Sequence, residues 1–181
     1  MADEATFDGD DTTLPHGERA EAARRLLEER VEAVRAAADR ELEPLDPEAT
    51  PTRPESRSYL LEEACELYLN ELNWEELTDE ERISDGSLTE MVFPGLLTFL
   101  DALLPRSGAG EPDRNQEHAD VVQDFLIWLG DRLLRLRSAE PEDRDDELRM
   151  EREARIVDDL MNLVLARLYR LDQEETARLQ G

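Results

Sequence analysis

The chain has 181 residues, of which 39% are hydrophobic and 5% aromatic, and its 47 acidic against 21 basic residues give a formal net charge of −26. A Leu-dominated, aromatic-poor composition suits amphipathic helices and argues against a β-rich fold. The lone cysteine, Cys65, excludes an internal disulfide and a cysteine-built zinc site.

The charge is the strongest signal. Every basic residue is Arg, because the sequence contains no Lys. A folded monomer of this length exposes about 9,000 Å², so each net charge owns roughly 340 Å² and neighbours sit ~18 Å apart. The Debye length is ~30 Å at 0.01 M salt and ~3 Å at 1 M, so these charges repel freely in dilute buffer and hardly at all in molar salt. Unscreened net charge destabilises a compact state. The composition therefore predicts a protein adapted to a high-salt cytoplasm.

Residues 1–16 hold five acids and no basic residue, a pattern that predicts a disordered acidic tail. From 17 to 43, Ala23, Leu27, Val31, Val34 and Ala38 recur at helical spacing on a narrow, Ala-rich stripe. Such a helix packs closely on the body or forms a seam with a partner. Residues 44–55 carry Pro44, Pro47, Pro51 and Pro54, and that density predicts a linker.

The expected body spans 56–181. Tyr59, Leu60, Ala64, Leu67, Tyr68 and Leu72 line one helix face, with Glu62, Glu63, Glu66 and Glu71 opposite. A short connector around Trp74 follows, and Thr78 to Glu81 reads as a capping box. Ser87 to Glu90 repeats that pattern and opens an apolar helix over 88–104, with Met91, Phe93, Leu97 and Leu104 among its residues. Pro94 is expected to kink or restart it, because the carbonyl of Glu90 loses its donor. A helix apolar on all sides must be surrounded by its own bundle or by a partner.

The next helix is expected from Asp113, as N-cap, to Ser138, striped by Val121, Val122, Phe125, Trp128, Leu129 and Leu133. The last is expected from Asp145 to Leu171, or onward to Leu179, striped by Ile156, Val157, Leu160, Leu163, Val164 and Leu168. The prediction is an all-α helical bundle of four to five helices. The N-terminus shows no signal-peptide pattern, and no apolar run is long enough to span a bilayer. The expected location is cytoplasmic.

Little here points to chemistry. The run Arg114 to His118 resembles the spaced Arg/His pair of HEPN nucleases, but only three residues separate the two. That departure places the histidine differently from the family's pattern, so no nuclease activity is expected and His118 reads as the edge of the core stripe. A di-iron site needs paired Glu-x-x-His motifs, and position 115 is Asn. With two histidines, one of them in the tail, nucleophilic triads fail. Ser107-Gly108-Ala109-Gly110 lacks the lysine of a phosphate-binding loop. No catalytic residue, metal ligand or cofactor is assigned.

Two arginine clusters, Arg132, Arg135 and Arg137, and Arg149, Arg152 and Arg155, raise nucleic-acid binding. Their interleaving with Asp131, Glu147, Glu151 and Glu153 favours ion pairs instead, so no nucleic-acid partner is expected. The remaining features concern association. The expected function is a non-enzymatic interaction protein, an adaptor, assembly factor or regulator that binds a protein partner or homodimerises. Its candidate surface comprises Leu27, Val31, Val34, Trp74, Met91, Phe93, Leu97 and Leu104. Behind it stand a transcription regulator built on a dimerising acidic bundle and a small helical enzyme without a recognisable motif.

Overall fold

The structure is a computed structural model and describes residues 12–42, 51–75, 88–104 and 118–180. Seven helices occur among them: α1 (Glu18–Ala37), α2 (Pro54–Glu75), α3 (Leu88–Val92), α4 (Pro94–Leu103), α5 (Ala119–Ser138), α6 (Arg144–Leu168) and α7 (Gln173–Gln180). No strand is present among the described residues, so the fold is all-α.

α5 is the axis of the bundle and packs against α1, α2, α4 and α6. Its stripe Val121, Val122, Phe125, Leu126, Trp128, Leu129 and Leu133 is buried. Five residues, 139–143, join it to α6, so these two helices form an αα-hairpin. Asp143 caps α6 by accepting from the Asp146 amide at 2.8 Å. Ile156, Val157, Leu160, Met161 and Val164 face the core from α6.

α1 belongs to this core. Ala20, Ala23, Leu27, Val34 and Ala37 are buried, and the close approach of α1 to α5 is set by small residues. A Cβ at Gly130 would lie 3.3 Å from the Ala23 carbonyl oxygen, so glycine lets the two backbones meet. Leu14, placed by composition in the acidic tail, packs partly against the core. Residues 1–11 of that expected tail and residues 44–50 of the expected linker 44–55 lie outside the described residues.

The far end of the Pro-rich stretch is anchored. Pro54 opens α2 at a position where its missing N–H costs nothing. Just before it, buried Thr52 donates its amide and hydroxyl to Asp120 at 3.1 and 2.6 Å. The Thr78 and Ser87 capping boxes and the Asp113 N-cap fall outside the described residues.

Two predicted helices are each split. Pro94 restarts the chain instead of kinking it: α3 ends at Val92, Phe93 is non-helical (φ −112°, ψ 46°), and α4 begins at Pro94. Its N-terminus is capped from another helix, because Glu71 of α2 accepts from the Gly95 and Leu96 amides at 2.7 and 3.0 Å. A Cβ at Gly95 would stand 2.5 Å from that carboxylate, so with any other residue there the Glu71 carboxylate has to shift. The α4 helix is not apolar all round; Pro94, Gly95, Thr98, Asp101 and Ala102 face outward.

The second split lies between α6 and α7. Arg170 adopts φ +54°. The Leu171 amide bonds the Ala166 carbonyl at 2.8 Å and the Arg170 amide bonds that of Arg167 at 3.2 Å, closing a Schellman turn. Asp172 and Glu175 then form a reciprocal capping box at the start of α7, with bonds of 2.8 and 3.0 Å.

Candidate functional site

The helices are joined by arginines. Arg19 of α1 pairs with buried Asp131 of α5. Arg30 of α1 reaches Asp158 and Asn162 of α6. Arg57 of α2 binds Asp124 and Asp120 of α5 at 2.7 and 3.2 Å. The hydrogen bond to Asp124 raises the Arg57 pKa further above its ordinary value. A planar guanidinium grips a carboxylate through two parallel bonds, which an ammonium cannot do. The Arg-only composition therefore has a structural use beside any contribution to solubility.

The most enclosed of these pairs lies among the aromatic residues. Tyr68 stacks on Phe93 with ring centroids 5.3 Å apart and meets Trp128 edge-on, also at 5.3 Å; Phe125 stacks on Trp128 at 5.8 Å. The Arg132 guanidinium lies 5.4 Å from the Tyr68 centroid and 5.7 Å from that of Trp128, within cation–π range. It is ion-paired with Glu153 of α6, and the two side chains are 11% and 7% exposed. The Tyr68 hydroxyl donates to Glu153 at 3.1 Å. α2, α5 and α6 thus meet at one closed polar network inside an apolar shell.

Burial, with the negative charge of Glu153 adding to it, pushes the Tyr68 phenol well above its ordinary value. Above about pH 10 an unfolded tyrosine loses its proton while the folded phenol keeps it, so folding stability falls as pH rises beyond that point. The tyrosinate absorbance of Tyr68, isolated by comparison with Tyr68→Phe, is expected to emerge only together with loss of helix. Ionisation of Tyr68 in a fully helical protein would contradict this burial.

Four of the clustered arginines pair with carboxylates, two across helices and two along their own. Arg132 is enclosed, Arg135 pairs with Asp131 at 3.1 Å, Arg137 with Asp158 at 3.2 Å, and Arg149 with Asp146 at 2.5 Å. The HEPN-like pair is not assembled among the described residues: Arg114 lies outside them, and His118 sits at the entry to α5. No group of three His, Cys, Asp or Glu side chains able to hold a metal ion occurs among the described residues. No described helix is long and apolar enough to cross a membrane.

The candidate interaction surface is dispersed. Leu27, Val34, Phe93 and Leu97 are buried in this chain's own core, so they are not available as a docking face while it is folded. Val31 and Leu104 are half-buried against that core. Trp74 lies in the last turn of α2, with its side chain outside the described residues. Met91 is 53% exposed. Tyr59, read from sequence as core-facing, is 64% exposed, and Leu148 is 53% exposed. Both stand on the outward face of their helices: Tyr59 lies about half a turn round α2 from Leu61, Ala64 and Tyr68, and Leu148 about half a turn round α6 from Val157, Met161 and Val164.

No protein-family model matches this chain, and comparison with curated proteins and with solved structures gives no match.

Proposed function

We propose that this chain is a non-enzymatic helical interaction protein, an adaptor, assembly factor or regulator adapted to a high-salt cytoplasm. The observation that carries the reading is Met91. It projects from the short helix α3 between Thr89 and Phe93, both buried, and is 53% exposed. Met is a flexible, polarisable side chain suited to adaptable apolar contacts. Val92, next to it in the chain, and Phe99 and Leu104, which follow α3, are only partly buried against the core. Pairing of Arg132, Arg135, Arg137 and Arg149 with carboxylates favours this reading over contact with DNA.

The test is affinity capture of the tagged protein from its native cells in ~2–3 M KCl, where non-specific electrostatic contacts are screened. Wild type and Met91→Glu are compared side by side. The expected result is a stoichiometric protein partner on wild type that is lost on Met91→Glu, with no change in the thermal midpoint. Equal recovery on both proteins, or no partner on either, would overturn the assignment of this face.

A further inference from the structure

α7 is held to the body mainly by polar groups at its ends. Arg178 bonds Asp39 at 2.6 Å and donates to the Ala37 carbonyl at 3.0 Å, capping the C-terminus of α1. Glu175, buried, accepts from the Asp39 amide at 3.2 Å and lies 3.6 Å from Arg40. Arg40 in turn donates to the carbonyls of Tyr169 and Arg170 at 3.2 and 2.9 Å. Leu171 and Leu179 supply partly buried apolar contacts beside this clasp.

The hinge before α7 is short and bent against preference. It comprises residues 169–172, and Arg170 holds φ +54°, a conformation that costs any L-residue with a Cβ. Neither Gly nor Pro occurs anywhere from 142 to 180, and the helical stripe of α6 continues through Leu171 toward Leu179. The same residues can therefore also run as one straight helix once the Asp172–Glu175 capping box opens.

We infer that α7 exchanges between two copies of this chain: Arg170 enters the helical region, α6 and α7 fuse, and each α7 closes the Asp39–Arg40 clasp of the other copy. The Arg178 and Glu175 bonds to Ala37 and Asp39 are reproduced in trans and the strain at Arg170 is relieved. The straightened hinge gives up the Arg40 bonds to the Tyr169 and Arg170 carbonyls and the Asp172–Glu175 capping box. Two chains of net charge −26 repel, so the exchanged dimer belongs to molar salt. None of the residues of the Met91 face is involved, and the inference does not depend on that reading.

The first test uses Arg170→Gly and Arg170→Ala, which both lose the arginine side chain and differ in backbone preference. Gly favours the bend and Ala the straight helix, at two hinges per dimer, so sedimentation in ~2–3 M KCl should give Arg170→Ala a dimer dissociation constant roughly a hundredfold to a thousandfold lower. Equal self-association of the two variants, or none in either, would overturn the exchange.

The second test keeps the hinge intact. Asp39→Arg alone and Arg178→Asp alone each place like charges in the clasp. When the two are mixed, an exchanged heterodimer restores opposite charges at both clasps, whereas a closed monomer restores neither. A heterodimer that forms only on mixing is the expected result, and its absence would refute exchange.

Discussion

Glu153→Ala is expected to destabilise the fold by about 3–5 kcal/mol, because it leaves the Arg132 guanidinium charged and enclosed without its partner. The removed carboxylate is also the acceptor of the Tyr68 hydroxyl. Urea denaturation at fixed molar KCl measures the loss. The double substitution Arg132→Met with Glu153→Leu removes both charges and should cost much less, with roughly 1–3 kcal/mol attributable to the orphaned Tyr68 hydroxyl. If the single substitution proved no worse than the double, the two charges would not be coupled across α5 and α6.

Leu27→Asp should unfold the whole chain. Leu27 is buried against the core. Its loss removes about 2–5 kcal/mol of packing, and the new carboxylate adds a desolvation penalty of several kcal/mol without a partner. Together these approach the ~5–15 kcal/mol that stabilises a typical domain. Val31→Asp, at a half-buried position of the same helix, should change stability far less. Loss of the entire far-UV helical signal in Leu27→Asp makes α1 part of the body. Loss of only the α1 contribution, with the rest intact, would make it a separable tethered helix.

The helices α1, α5 and α6 were legible because each carries a period-3.6 apolar stripe, whereas α2 is apolar on more than one side and its buried face was harder to read. The helix breaks were less legible. Pro94 announced an interruption, but whether it kinks or restarts depends on Glu71 reaching across from α2 to cap the new N-terminus. Glu71 reads as one more acid on a solvated face until α4 is placed beside it. The break at Arg170 carries no Gly or Pro signal, and its cause is the capping box of Asp172 and Glu175 together with a clasp formed by residues far away in sequence.

The polar network was hidden for the same reason. Arg19 and Asp131 are 112 positions apart, and Tyr68 and Glu153 are 85 apart. Local spacing correctly suggested that arginines pair with acids. It pointed to neighbours on one helix, whereas the enclosed pairs join different helices. Apolar content alone does not mark an available face. Leu27, Val34, Phe93 and Leu97 are apolar because they build this chain's own core.

Clamped helices beneath a surface of net charge −26 should hold together only while that charge is screened. The enclosed arginine pairs are largely shielded from salt, whereas exposed acid–acid repulsion is not. A far-UV titration of the purified protein against KCl tests this directly. The helical signal is predicted to weaken below ~0.2 M and to reach its full value above ~1 M, where little screening remains to be gained. An equally strong, equally heat-resistant helical signal at all salt concentrations would contradict the proposed high-salt adaptation.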